Sequence, residues 1–224
     1  EYGLFKQKII DGLQVELPDI WLPGGEVWLK ERPDKTQIVR FGGEVKEIWT
    51  ENGPVYQQVG CREVEAFPYD MVVDGFRANA VGVLRLWSAR ANKPFDFHAF
   101  GQGEYMRAMN EQAEAEMITK VLYPSDDHDE GKILRLKQEY FLVSAAMQNV
   151  VSDHIKRYGT FDSFTKMVAV HINDTHPALA VAELMRIMID EYHLSWDYAW
   201  KLVTEVTAYT NHTVMAEALE CWPE

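Results

Sequence analysis

Residues 168–177 read Val-Ala-Val-His-Ile-Asn-Asp-Thr-His-Pro, a buried strand that ends in a polar turn and starts a helix at a proline. About 35 residues later a second strand-like run ends the same way, in Ala208-Tyr-Thr-Asn-His-Thr213. Two such runs with helical sequence between them restrict this part of the chain to a parallel α/β arrangement. In parallel sheets, ligands bind in the crevice beyond the carboxyl ends of the strands. Clusters of Asn, Asp, Thr and His at two such ends therefore mark a candidate site.

The intervening signals support that reading. Pro177 suits the first turn of a helix. Ser195 suits the N-cap of another, which carries Trp196, Ala199, Trp200 and Val203. The segment 168–211 thus predicts strand–helix–helix–strand with the two strands parallel. Upstream, Met106, Met109, Ala113, Met117 and Val121 fall at helical spacing, and Pro124 stops that helix. Leu136, Tyr140, Val143, Met147, Val150 and Ile155 form another apolar stripe, closed by Gly159. Residues 1–95 are strand-rich instead. The stretch 36–41 alternates, Gly42-Gly43 turns the chain and 44–49 alternates again. Asn52-Gly53 and Asp74-Gly75 are further hairpin signals. The runs 55–64 and 81–87 supply more strands, and the whole reads as an antiparallel meander ahead of a helix-rich α/β part, 96–224.

Composition narrows the partners. A net charge of −13 over 224 residues opposes binding to nucleic acid or an anionic membrane, both of which need a basic face. No apolar run approaches the roughly 18 residues of a membrane span. The first residues have no basic signal-peptide region. Cys61 and Cys221 lack metal or CxxC spacing and are expected as free thiols in a reducing, cytoplasmic setting. The chain opens on Glu1-Tyr-Gly and stops at Trp222-Pro-Glu224 with no capping signal at either end, and we expect a piece of a longer polypeptide.

Asn173-Asp174-Thr175-His176 has two compatible uses: an Asx-type turn with a helix cap, and a set of polar groups pointed into a crevice. Asn donates and accepts, Asp accepts and His does either, with no Lys or Arg close by in sequence. That mixture suits a neutral polyhydroxyl ligand better than a phosphate. Asn211-His212-Thr213 repeats it at the second strand end. The acidic run 125–131, Ser-Asp-Asp-His-Asp-Glu-Gly, resembles a calcium loop, but aligning Gly131 with the invariant glycine puts His128 and Lys137 at ligand positions. It reads as a solvated helix–helix connector. His171 and His176 have the wrong spacing for a zinc pair on one helix face, and no metal ligands are predicted. There is no phosphate loop, no dinucleotide fingerprint and no serine nucleophile elbow. The residues alone support an α/β domain with a polar crevice for a small hydroxylated ligand.

Several runs resemble the α-glucan (glycogen, starch, maltodextrin) phosphorylases, bacterial type. They are Tyr2-Gly-Leu-Phe-Lys-Gln7, Leu84-Arg-Leu-Trp-Ser-Ala89, Val121-Leu-Tyr-Pro124, Gly131-Lys-Ile-Leu-Arg-Leu-Lys-Gln-Glu-Tyr-Phe141, Asn173-Asp-Thr-His-Pro-Ala-Leu179, Glu183-Leu-Met-Arg186, Tyr209-Thr-Asn-His-Thr213, Glu217-Ala-Leu-Glu220 and Trp222-Pro223. They cover essentially the whole chain in order. The resemblance implies part of a glycosyltransferase-B-like N-terminal domain. It also implies cleavage of terminal α-1,4-glucosidic bonds by phosphate to give α-D-glucose 1-phosphate. The cofactor would be pyridoxal 5′-phosphate, held by a lysine outside this chain. The other partners would be a glucan, a C-terminal domain and a second copy of the enzyme.

Residue by residue, the resemblance makes His212 the group that contacts the transferred glucosyl unit. Asp126, Asp127 and His128 fall in a gate loop, where Ser125 and Asp127 each replace a family Asn. Asp174 and His176 line the pocket beside the glucose site, and Thr213 is a further substrate-binding residue. Ser152 and Asp153 stand where regulated animal members carry an Arg-Arg pair for phosphate effectors. A second reading, a non-catalytic glucan-binding or assembly segment from a split or degenerate gene, is opposed by the persistence of Asp126, Asp174, His176 and His212.

Overall fold

The computed structural model describes residues 5–18, 28–51, 53–77, 79–216 and 219–222. Tyr2, Gly3, Leu4, Asn52, Glu217, Ala218 and Pro223, which figure in the motifs above, lie outside them. The chain is a mixed α/β protein and divides into two compact units: residues 1–36 with 65–135, and residues 37–64 with 136–224.

The first unit contains the antiparallel hairpin β1 (Phe5–Ile10) and β2 (Leu13–Pro18), turned by Asp11 and Gly12 at positive φ. Strand β3 (Lys30–Glu31) follows. After the segment that belongs to the second unit come the long strands β7 (Arg62–Asp74) and β8 (Val81–Ala91). Both β3 and β8 pair with β7. Helices α1 (Phe97–Gly101) and α2 (Tyr105–Lys120) complete the unit, and Asp96 caps α1 by accepting from the Ala99 N–H. α2 packs on β8. Its Thr119 hydroxyl and Gln112 side-chain carbonyl accept hydrogen bonds from the Ala89 and Ala91 N–H groups. Polar side chains of a helix thus satisfy the free edge of the strand.

The helix at 105–120 is as expected, but its buried face is not. Ala108, Ala115 and Ile118 are buried, whereas Met106, Met109, Met117 and Val121 are exposed. Small residues let α2 approach β8 closely, and side-chain volume alone misidentified the face.

Asp70, 4% exposed on β7, anchors the sheet. Arg85 donates to both its oxygens at 2.7 and 2.8 Å, and Arg32 donates to one at 2.9 Å. The Arg85 hydrogen bonds, aided by the charges of Arg85 and Arg32, hold the carboxyl below its ordinary pKa against the opposing effect of burial.

The second unit begins with β4 (Gln37–Phe41), which pairs with β7, a strand whose first three residues belong to this unit. β5 (Glu44–Thr50) and β6 (Gly53–Val59) form a separate antiparallel ribbon in which Thr50 faces Gly53. This corrects the continuous meander. Gly42-Gly43 does not close a hairpin between β4 and β5; it hands the chain from one sheet to another. Gly43, at φ 81°, passes so close to Val59 that a Cβ would lie 2.4 Å from its carbonyl oxygen. The expected strand 55–64 is likewise broken at Gly60 into β6 and β7.

Helix α3 (Asp129–Tyr158) starts at the end of the first unit and continues through the second. Val143, Met147 and Val151 lie in the main core, and Gly159 ends the helix at φ 77°, its N–H donating to Ile155 O at 2.8 Å. α4 (Phe164–Met167), β9 (Val170–Asn173), α5 (Ala180–Arg186), α6 (Trp196–Val206) and β10 (Thr207–Thr210) follow. β9 and β10 pair in parallel, Val170 opposite Thr207 through Asn173 opposite Thr210, as the sequence predicts. Ser195 is the N-cap of α6 and accepts from the Tyr198 N–H. Pro177 sits in a tight turn of i+3 hydrogen bonds, and α5 starts only at Ala180. α5 continues into a π-helical turn, Ile187–Glu191.

The core of this unit gathers Phe161, Phe164, Ile172, Leu184, Ile187, Met188, Leu202 and Val203 around the strand pair. Among the stripe expected of α6, Ala199 and Val203 are buried, while Trp196 and Trp200 are 65% and 47% exposed.

Candidate active site

The parallel pair fixes the geometry of the second unit's site. Asn173 and Thr210 are paired at the last rung, and the Asp174 N–H donates to Thr210 O at 2.8 Å, one residue beyond it. The two strand ends therefore leave the sheet together, and the two polar clusters emerge side by side. Asp174 takes φ 69°, a left-handed conformation that Asp tolerates because its short side chain bonds locally; its Oδ1 accepts from the Thr175 N–H at 2.7 Å.

His212 Nε2 lies 2.5 Å from Asn173 Oδ1, so the hydrogen bond requires the Nε2–H tautomer or the imidazolium. Thr213 is ordered by its own turn: its N–H donates to Asn211 Oδ1 and its hydroxyl accepts from the Met215 N–H, both at 3.1 Å. His171 Nε2 bonds the Thr210 hydroxyl at 2.6 Å across the strand pair. Asn173, Asp174, His212 and Thr213 thus form one polar lip at the carboxyl end of β9 and β10. The particular role of Asn173, orienting His212, was not singled out in the sequence; the pairing register places it there.

His176 faces elsewhere in the same unit. Its Nδ1 lies 3.1 Å from Glu220 Oε1 and 3.7 Å from Glu139 Oε1, with Glu139 buried on α3. Glu139 and Glu220 also line a cavity of about 870 Å³, whose wall includes Thr175, Trp196, Trp200 and Trp222.

The remaining candidates, Asp126, Asp127 and His128, belong to the first unit. Arg135 donates to Asp126 at 3.0 Å, the Ser125 hydroxyl donates to Asp127 at 2.8 Å, and the Gly131 N–H donates to His128 Nδ1 at 2.9 Å. The connector is shorter than the run 125–131 suggests, because α3 already begins at Asp129. Gly131 is essential to it. A Cβ there would sit 1.8 Å from Ser125 O and 3.0 Å from His128 Cε1, so only glycine allows the loop to fold back on the first turn of α3. Cys61 and Cys221 are free thiols, and no helix among the described residues is long and apolar enough to cross a membrane.

A model of the carbohydrate phosphorylase family matches residues 1–224. The chain belongs to that family. Its phosphorylase relatives include glycogen phosphorylase of Pasteurella multocida, 46% identical over 228 residues, and that of Chlamydia trachomatis, 46% identical over 223. The human liver form of glycogen phosphorylase is 47% identical over 231 residues. These alignments cover 99–100% of this chain but 27% of each relative, so the chain spans about a quarter of the length of these phosphorylases.

Proposed function

We propose that this chain is part of a glycogen phosphorylase, a glycosyltransferase that cleaves the terminal α-1,4-glucosidic bond of a glucan with inorganic phosphate and releases α-D-glucose 1-phosphate. The observation that carries the reading is the polar lip at the end of the parallel pair, in a chain whose relatives are phosphorylases along its entire length. In this reading residues 1–224 are part of a glycosyltransferase-B-like N-terminal domain.

His212 is the catalytic contact to the transferred glucosyl unit, and Asn173 orients its ring. Asp174 and Thr213 contribute to substrate binding at the lip, and His176 lines the pocket beside the glucose site. Asp126, Asp127 and His128 form a gate loop, in which Asp127 accepts hydrogen bonds from sugar hydroxyls where the family's usual Asn would also donate. The imidazole and carboxylate groups recognise a neutral sugar ring by hydrogen bonding. They exert their largest effect if they tighten as positive charge develops on that ring.

Pyridoxal 5′-phosphate would supply proton transfer to and from the substrate phosphate. The lysine that holds it would lie in a part of the enzyme beyond these residues, and no residue here is assigned to the cofactor. The enzyme would be a cytoplasmic homodimer. The test is phosphorolysis of a maltooligosaccharide by the full-length enzyme, read as glucose 1-phosphate, with and without His212→Ala. Loss of turnover with retained glucan binding supports the assignment. Unchanged turnover in the variant removes it.

A further inference from the structure

We infer that Glu139, His176 and Glu220 form a binding site for one divalent transition-metal ion of the zinc type. The three side chains come from α3, from the turn after β9 and from the segment after β10, so no local spacing announces them. Their ligand atoms nevertheless lie within 4.8 Å of one another. In tetrahedral zinc coordination with nitrogen and oxygen at about 2.0–2.2 Å, neighbouring ligand atoms stand roughly 3.3–3.6 Å apart. The separations here, 3.1 Å from His176 Nδ1 to Glu220 Oε1 and 3.7 Å to Glu139 Oε1, bracket that edge. Small rotations of the two carboxylates would close the set around one ion.

The chemistry selects the ion class. One imidazole and two carboxylates match zinc and its first-row neighbours, whereas calcium and magnesium take all-oxygen shells of six or more ligands. With both carboxylates ionised, a divalent ion neutralises the pair in a setting where Glu139 is 9% exposed. Three protein ligands leave a fourth position open. Glu139 and Glu220 border the cavity described above, which offers a path for the ion and room for a bound water. The hydroxyl of Thr175, adjacent to His176 and on the same cavity wall, is buried without a hydrogen-bond partner among the described residues, and a metal-bound water would supply one. The site does not depend on phosphorylase activity. In the proposed function His176 lines the pocket beside the glucose site, so zinc at Nδ1 would couple metal binding to that pocket.

The test is titration of the 224-residue chain with zinc against a chromophoric chelator, together with X-ray absorption at the zinc edge. The site predicts one equivalent bound at micromolar concentration through nitrogen and oxygen, with no sulfur. His176→Ala and Glu220→Gln, each checked for folding by circular dichroism, should lower the affinity roughly 100-fold or more, since even outer-shell changes lose 10–100-fold. Paired Cys61→Ser and Cys221→Ser substitutions should leave it unchanged. Sulfur ligation, loss of binding in the cysteine variant, retention in folded His176→Ala, or no stoichiometric uptake by the unsubstituted chain would each overturn the assignment. The first and the last of these outcomes are read on the unsubstituted chain and need no variant to fold.

Discussion

Arg186→Met should destabilise the second unit by about 3–5 kcal/mol, the range for removing one partner of a buried ion pair. Glu183 on α5 is 3% exposed. Arg186, one turn later, clamps it with two parallel hydrogen bonds, Nε to Oε2 and Nη2 to Oε1, both 2.8 Å. From α3 the Ser144 hydroxyl donates to Oε1 at 2.6 Å and the Tyr140 hydroxyl to Oε2 at 3.4 Å. Burial and the Glu183 charge raise the Tyr140 pKa, which keeps that phenol a donor at neutral pH. Burial alone would lower the Arg186 pKa, but the hydrogen bonds and charge of Glu183 overcome it and hold the guanidinium ionised. Methionine preserves the stem and removes two charge-assisted bonds worth roughly 1.5–3 kcal/mol each, together about 3–6 kcal/mol, which overlaps that range. The third bond, from Arg186 Nη1 to Glu191 at 2.9 Å, is at the surface and adds about 0–1 kcal/mol. Urea unfolding followed by tryptophan fluorescence reads the change, because Trp196, Trp200 and Trp222 all belong to this unit. A double variant, Glu183→Leu with Arg186→Met, should recover most of the loss, since no unpaired charge remains buried. A loss below about 1 kcal/mol, the value of a surface pair, would refute the claim that the clamp compensates a buried carboxylate.

In the full-length enzyme, His212→Ala should lower kcat more than it raises KM, by a factor corresponding to about 2–4 kcal/mol, as for loss of a preorganised active-site hydrogen bond; a pure KM effect would contradict a transition-state role. Asn173→Ala should reproduce part of that loss and shift the tautomer balance of His212, seen in its imidazole nitrogen NMR resonances. Gly131→Ala should cost about 1–3 kcal/mol and displace the 125–128 loop, since a Cβ meets backbone oxygen there; an unchanged urea midpoint would show that the loop yields freely. Asp70→Asn should destabilise the first unit at neutral pH. Because the folded carboxyl has a depressed pKa, its contribution is fully present above the unfolded value of about 3.9 and fades as pH falls through the folded one. The urea midpoints of the variant and the unsubstituted chain should therefore converge in acid, and a constant gap would exclude the linkage. Finally, if the resemblance aligns Asp153 with the phosphate-binding arginine of the animal members, millimolar AMP should not activate the full-length enzyme; a several-fold rise abolished by Lys156→Ala would refute this.

The features legible in the sequence were those set by local chemistry. Ser195 as N-cap, Gly159 as helix terminator and the strand ends at Asn173 and Thr210 follow from residue preference and periodicity over a few neighbours. What escaped was decided at longer range. Whether Gly42-Gly43 turns a hairpin or changes sheets depends on which strand β4 pairs with, and β7 lies beyond β5 and β6. Methionines outweigh alanines in any apolar pattern, yet close packing against β8 favoured Ala108 and Ala115. The orientation of His212 by Asn173 required the register of the parallel pair. The Glu139, His176 and Glu220 cluster required three separate elements to converge.

The chain passes between its two units three times, between residues 36 and 37, 64 and 65, and 135 and 136. Two of these passages fall inside regular elements, β7 and α3. Neither unit is therefore a contiguous piece of sequence. No single proteolytic cut or truncation can release one intact, and expressing residues 1–135 or 136–224 alone would cut helix α3 and separate residues 37–64 from the rest of the second unit. Recombination that keeps either unit whole must carry both of its separate stretches of sequence together.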